Sequence, residues 1–491
     1  MDATTEDPFL ARPRYVPPGD AQVGLIALAT VGGVWVGASV GAVRAALLTA
    51  TATAAAAAAA VALVVTGVAI ARRARIGIVA RGVATACVVL VVLGAIAGER
   101  AWERAEPRSL GPFAGWAVVA SDPVPARSGS GVGVVLEVAG ERFQAYAYGS
   151  PRRRLERRQA GDLVAVEGVR SSLRARDGWL RVRHVVGRFE VARVGAWAEG
   201  APLDRAGNRL RARLRAAAES TMPADDAALF TGLVVGDDVR QRPEVVDRFR
   251  EVGLSHLTAV SGQNVAYVVA MAGVVLRRLP GWWRLAATWA LIAWFVVLTR
   301  VEPSVLRAGT MAAIGAFAVA TGRERSVPRL LAVAVTVLVL VDPLLVWSVG
   351  FWLSCGATVG VSVVAPWLSQ RWRGPAWLAM PVATTVGAQL GVLVPSLLVF
   401  GRLPVTGIVA NLLAVPVAGV VMLVGIPAAL LASAAPPAVA EVVMLPAEWG
   451  TRWVGTVAAL AERLTPTGPM LLAAWAVHLA LALWWWRPDR W

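Results

Sequence analysis

The chain has 491 residues, 57% hydrophobic and 16% charged, with a net charge of +16; soluble domains carry about 25% charged residues, so a string of ordinary soluble domains is excluded and a polytopic membrane protein is expected. All 48 basic residues are arginine, and without lysine there is no P-loop and no Schiff-base chemistry. The three histidines (His184, His256, His478) and two cysteines (Cys87, Cys355) have no metal-site or haem spacing, so no metal and no cofactor are expected.

Residues 1–20 are polar and proline-rich and read as a cytosolic tail. Residues 21–98 hold three apolar runs, near Ala21–Gly41, Ala45–Ile70 and Ile76–Gly98. Each approaches the ~20 residues that cross ~30 Å of hydrocarbon. Between 110 and 195 the pattern changes to short β-like runs, Phe113–Ala120, Gly131–Val138, Arg142–Tyr148, Asp162–Val169 and Trp179–Val194, separated by Gly, Pro, Ser and Arg turns. Five such strands predict a small β-barrel, OB-fold-like, inserted into a helical membrane protein.

In FQAYAY, Phe143, Ala145 and Ala147 alternate with Gln144, Tyr146 and Tyr148, so one face fills a barrel while Tyr146 and Tyr148 point outward. In WLRVRHV, Arg181 and Arg183 alternate with Leu180 and Val182 in the same way. Tyrosines beside phosphate-neutralising arginines suit single-stranded nucleic acid; an ordinary solvent face has the same pattern. The arginine-rich amphipathic stretch Leu203–Ala218 suits a helix in the membrane interface.

From 200 to 491 nine further apolar runs centre near residues 269, 292, 312, 337, 356, 387, 418, 450 and 477, for twelve in all. Arginines cluster in alternate loops (Arg72, Arg73, Arg75; Arg277, Arg278, Arg284; Arg323, Arg325, Arg329; Arg371, Arg373). By the positive-inside bias these loops and both termini are cytoplasmic and the β-rich domain is extracytoplasmic, in a multi-pass protein of the bacterial cytoplasmic membrane.

Polar residues stand out at the edges of the apolar runs and within them. His256, Ser261, Gln263 and Asn264 sit at the threshold of one run, Arg307 lies about one turn inside another, and Gln389 and Asn411 interrupt two more. In lipid each unsatisfied polar group costs several kcal/mol, so these seven are expected to face protein or water and are the candidate channel-lining set. A break at Gly262 with a capped helix start near Asn264 beside a satisfied histidine, and helix packing by Gly and Ser, account for many of these residues without a channel, as snorkelling does for Arg300 and Glu302.

Several stretches resemble, in order, the ComEC family of competence proteins: LFTGLVVGDD (Leu229–Asp238), GLSHLTAVSGQN (Gly253–Asn264), PSVLRAGTM (Pro303–Met311), DPLLVWSVGFWLSCGA (Asp342–Ala357) and VTGIVANLLAVPV (Val405–Val417). The resemblance implies an inner-membrane channel importing single-stranded DNA in natural transformation. Two departures stand out. Asn264 occupies a place where the family commonly has histidine, and no H-x-H-x-D-H motif marks the metallo-β-lactamase-like domain of many members.

The expected function is therefore a non-enzymatic channel for single-stranded DNA, in contact with membrane lipid. It would work with a separate cytosolic ATPase or helicase, DNA-receptor proteins and a separate nuclease, as a monomer or a homo-oligomer. The alternative is a small-anion transporter or a non-catalytic scaffold whose OB-fold binds a ligand. A hydrolase using His256 and Ser261 as base and nucleophile lacks a carboxylate at a recognisable spacing to orient the histidine.

Overall fold

The computed structural model describes residues 19–47, 78–126, 130–258, 262–301, 303–323, 326–400 and 406–465, in two compact units. The first contains helices α1 (Asp20–Leu47), α2 (Ile78–Glu103) and, from later in the chain, α11 (Val327–Val341). Gly33 and Gly37 on α1 face the backbone of Val91 and Ala95 on α2, and Gly94 and Gly98 on α2 face that of Thr30, Val34 and Ala38 on α1. A Cβ on Gly37 would lie 1.9 Å from the Ala95 carbonyl oxygen and one on Gly98 2.4 Å from that of Val34. Paired G-x-x-x-G motifs of this kind bring backbones together where lipid supplies no hydrophobic drive. Asp20, at the start of α1, accepts from Arg329 Nε at 2.8 Å and from the Ser326 hydroxyl.

The second unit begins with the β-domain. Its strands are β1 (Gly111–Val119), β2 (Val124–Pro125), β3 (Gly131–Val138), β4 (Glu141–Tyr148), β5 (Leu163–Ser172) and β6 (Val185–Ala198), with helix α3 (Gly149–Leu155) between β4 and β5. The sheet order is β1-β5-β6-β4-β3-β2, and β1 also pairs with β3, so the ladder returns on itself through five strands. All neighbours are antiparallel except β4 and β6. Phe143, Ala145 and Ala147 point inward with Leu136, Phe189 and Leu155, all fully buried.

One sequence expectation fails here. Residues 175–183 form a 3-10 helix, and the last strand starts at Val185 instead of Trp179. The segment has to turn back from β5 to β6, where Ser172 pairs with Gly187. Leu180 is its buried anchor, and His184 ends it at φ 58° with its N–H donated back to the Arg181 carbonyl. Arg181 and Arg183 therefore lie on a helical turn and do not alternate along a strand.

The helical part continues as α4 (Pro202–Thr221), α5 (Ala224–Val235), α6 (Pro243–Glu251), α7 (Ser255–Thr258), α8 (Gly262–Leu276), α9 (Gly281–Leu298) and α10 (Pro303–Ala320). After the first unit's α11 come α12 (Val349–Val359), a π-turn over Gly360–Val364, α13 (Ala365–Gln370), α14 (Ala376–Phe400), α15 (Gly407–Ala432) and α16 (Pro437–Leu464). Proline opens α4, α6 and α16, where a missing N–H costs nothing. Gly236 closes α5 at φ 68° by donating to the Gly232 and Thr231 carbonyls.

Leu214, Ala217 and Ala218 of α4 pack with Phe230 and Leu233 of α5, Phe249 of α6, Phe295 of α9 and Ala414 and Ala418 of α15 in one core. The stretch read as amphipathic thus uses its apolar stripe on protein. A second double-glycine crossing joins α12 to α14, where Gly356 and Gly360 face Gly391 and Gly387. The π-turn begins at this crossing, a common place for such irregularities.

Among the described residues six helical segments are long and apolar enough to cross a bilayer: 20–39, 85–103, 281–298, 349–370, 376–400 and 407–432. Three shorter apolar helices lie over 263–276, 304–320 and 327–341. The apolar run near 450 is α16, and the runs over 45–70 and near 477 fall outside the described residues, almost entirely in the first case.

Candidate strand-binding face and buried membrane arginine

On the β-domain, Tyr146 and Tyr148 project from the outer face of β4, opposite Gly133 and Gly131 of β3. Tyr148 is 48% exposed, and its ring lies over Gly131, where a Cβ would come within 2.6 Å of Cε1. The absent side chain lets the tyrosine lie along the sheet and offer its outer face. Tyr146 is half-buried, with the Arg188 guanidinium 4.8 Å from its ring centroid. Arg188 also lies 3.6 Å from Asp177 of the 3-10 segment that carries Arg181 and Arg183. Arg181 is half-buried, whereas Arg183 is exposed and close enough to Asp238 to act on its carboxyl. Arg188 is not legible as part of this face in the sequence, because an arginine three residues into a strand carries no mark of what it will cover.

In the membrane half, Arg307 on α10 is 5% exposed. Its Nε donates to Ser354 Oγ at 2.8 Å, and its Nη1 to Thr358 Oγ1 at 3.0 Å and to Met311 Sδ at 3.2 Å. Ser354 and Thr358 are one turn apart on α12, so one helix face receives the fork. Among the described residues no carboxylate pairs with Arg307, and the partners of its guanidinium there are two hydroxyls and a thioether.

The other polar residues read as channel-lining are dispersed. Asn264 on α8 is 3% exposed and donates to the Leu233 carbonyl at 3.1 Å. Asn411 on α15 is buried, with its amide donated to the Gly407 carbonyl at 2.6 Å. Gln263 donates to Tyr267 Oη at 2.5 Å, and that hydroxyl fills the space a Cβ on Gly419 would need. Gln389 is half-buried on α14, and Ser261 falls outside the described residues. His256 on α7 has accessible surface, yet the protein around it withdraws enough solvation to hold its pKa below the ordinary histidine value, against the opposing effect of a hydrogen bond to the Gly253 backbone. A groove of about 630 Å³ opens between α8, α15 and α16. It is apolar, lined among others by Met271, Leu423, Pro427 and Val443, and none of these polar residues borders it.

The residues least legible in the sequence form a cluster where the β-domain meets the membrane half. Asp122, just after β1, receives Arg300 Nη2 on Oδ1 at 2.9 Å and Arg300 Nε on Oδ2 at 3.1 Å. Arg300 also donates to Asn208 Oδ1 at 2.7 Å and to the Ala160 carbonyl at 3.3 Å. Beneath them Arg211 donates to the carbonyls of Val235 (3.2 Å) and Leu298 (3.1 Å), the last residues of α5 and α9. A guanidinium there meets the negative end of two helix dipoles at once. Arg211 lies 3.6 Å from both Asp122 and Asp237, and Arg215 pairs with Asp237. Burial acts to raise the Asp122 pKa, but Arg300, Arg211 and the Ala160 N–H, which donates to Oδ1 at 2.9 Å, together outweigh it and hold the carboxyl below its ordinary value.

These features define a helical membrane protein that carries a small β-domain and buries an arginine among its apolar helices. Residues 233–489, more than half of the chain, match the family described as Competence protein, and the chain belongs to that family. It is 29% identical over 224 residues to the Escherichia coli K12 protein YcaI, described as uncharacterized; the match covers 42% of this chain and 29% of that protein. It is 28% identical over 211 residues to ComE operon protein 3 of Bacillus subtilis, covering 42% and 26%, and 32% identical over 143 residues to competence protein ComA of Neisseria gonorrhoeae, covering 27% and 20%. The match thus spans less than a third of each relative's own length. No solved structure matches the chain.

Proposed function

We propose that this protein is a conduit through which single-stranded DNA crosses the cytoplasmic membrane during natural transformation. The observation that carries the reading is Arg307. It is a guanidinium buried on an apolar helix within the family-matched stretch, held by hydroxyls and a thioether and with no carboxylate partner among the described residues. A polyanion in hydrocarbon costs tens of kcal/mol per bare charge, so its route must be wet and must bear cations. With Asn264 and Asn411 turned onto backbone carbonyls, the reading takes the described conformation as the closed one.

The β-domain is read as an OB-fold-like barrel on the extracytoplasmic side. Its five-strand ring and its one parallel pair support the fold. Such folds bind oligonucleotides on the second and third strands and the adjoining loops. Here those strands are β3 and β4, which carry Gly131, Gly133, Tyr146 and Tyr148, and the loop between the last two strands carries Arg181 and Arg183.

An inside-negative potential opposes anion import by ~2.3 kcal/mol per charge per 100 mV. A chain without lysine and hence without a P-loop needs an outside driver, so the proposal includes a separate cytosolic ATPase or helicase. DNA-receptor proteins would deliver the duplex and a separate nuclease would remove one strand. The test is uptake of labelled DNA by a deletion strain. The reading requires that DNase-resistant single strands vanish from the cytosol while DNA still binds the cell surface; their persistence rejects it.

A further inference from the structure

Asp122 and Arg300 are each 19% exposed, whereas Arg211 and Asp237 beneath them are 5% and 2% exposed. The cluster has a sealed floor and an accessible upper pair. Three guanidiniums (Arg211, Arg215, Arg300) face the carboxylates of Asp122 and Asp237, and Asp238 beside them is close enough to feel Arg211 and Arg183. The floor is imperfectly satisfied, since Asp237 Oδ1 and Arg215 Nε are buried without a hydrogen-bond partner among the described residues.

The upper pair also bridges two separate parts of the chain. Asp122 belongs to the β-domain, and Arg300 to the turn between α9 and α10. Arg300 and Val301 adopt φ 61° and 58° in succession. A β-branched residue there is an outlier, and a strained turn persists only while its surroundings hold it. The fork that Asp122 makes with Arg300 is the geometry a phosphodiester makes with an arginine. Arg307 lies seven residues further along the chain, about one turn inside α10.

We propose that the Asp122–Arg300 pair is a latch in which the carboxylate stands in for a phosphodiester. A strand phosphate arriving from the β-domain exchanges with Asp122 on Arg300, loosens the 120–123 loop, which keeps its ties from Ala120 and Ser121 to Val135, lets the α9–α10 turn relax and so shifts α10 and Arg307. Asn208 and Arg211 are the positioning residues of the latch. The proposal rests on the reading that single-stranded DNA is the ligand.

The test is amide hydrogen exchange on the full chain in dodecyl maltoside, which carries no phosphate, with oligodeoxythymidine as probe and binding followed by fluorescence anisotropy. In the wild type, the oligonucleotide should speed exchange at residues 298–301 and 120–123 by about tenfold, the signature of local opening. Asp122→Asn should exchange fast without the probe and gain nothing from it, Asp122→Glu should behave as wild type, and Arg300→Lys, which loses the fork, should fall between. Unchanged exchange in Asp122→Asn, with a thermal melt establishing that the variant is folded, overturns the latch. Oligonucleotide binding with no change in wild-type exchange also overturns it and leaves the DNA reading standing. No binding by any variant removes both. If phosphatidylglycerol added alone opens the turn equally, the latch answers lipid headgroups and the assignment to a DNA strand is wrong.

Discussion

Arg307 Nη1 donates to Thr358 Oγ1 at 3.0 Å, while the Thr358 hydroxyl donates to the Ser354 carbonyl at 2.8 Å within its own helix. The threonine therefore keeps a hydrogen bond when the arginine is removed. Unpaired buried charge is costly, and apolar residues of similar volume often replace buried ionic groups neutrally or with a gain in stability. Arg307→Met is expected to keep or raise the melting temperature of the purified protein and to lower DNA uptake by about tenfold or more, the effect of losing a charge-assisted contact. A destabilised variant with uptake reduced only in proportion to its abundance would assign Arg307 to structure.

The α12–α14 crossing is governed by backbone approach. A Cβ on Gly360 would stand 1.9 Å from the Gly387 carbonyl oxygen, and one on Gly391 2.0 Å from that of Gly356. Gly360→Ala must push the helices apart, and overpacking of this kind costs about 1–3 kcal/mol. Thermal unfolding in detergent should show the loss. Gly273→Ala, on α8 with open space around it, is the matched control and should melt as wild type.

The two tyrosines of β4 are not equivalent. Tyr148 offers an open ring face, whereas Arg188 covers Tyr146. Stacking contributes about 1–3 kcal/mol per base, so Tyr148→Ala should weaken oligonucleotide binding by the full chain about 5- to 150-fold. Tyr146→Ala should have the smaller effect. Affinity should fall linearly on a log–log plot against salt as phosphate contacts release counterions. A salt-independent affinity measured by anisotropy would place binding elsewhere.

Two groups outside the spans set the acid limb of stability. The folded-state pKa of His256 lies below its ordinary 6.5, so the unfolded chain binds the proton first and stability falls as pH drops from about 6.5 towards the lower folded value. Asp122, held below its ordinary 3.8, adds stability that is fully present above that value and is lost as pH falls through it towards the folded value. Melting temperatures across pH should show both steps. His256→Gln should remove the first and Asp122→Asn the second, each leaving the other in place.

What the sequence disclosed follows from how local each determinant is. The alternation around Phe143, Ala145 and Ala147 sets a strand face within a few residues, and the structure keeps it. Arg181 and Arg183 mimic that alternation over too short a span to distinguish a strand from a 3-10 turn, and the need to return from Ser172 to Gly187 decided the outcome. The G-x-x-x-G pairs of Gly33 with Gly37 and of Gly94 with Gly98 are visible as spacing, but a spacing does not name its partner. Asp122 and Arg300 lie 178 positions apart, and each looks like an ordinary surface charge until the fold brings them together.

The most direct test of the conduit is made in vesicles. Full-length protein in liposomes, with an inside-positive potential imposed to draw anions inward, is given fluorescent single-stranded oligonucleotide and then external nuclease. The account predicts nuclease-protected strands inside the vesicles that depend on the protein and on the sign of the potential, and that are reduced by Arg307→Met. Protection no greater than in protein-free vesicles, or passage of chloride with exclusion of the oligonucleotide, would contradict it.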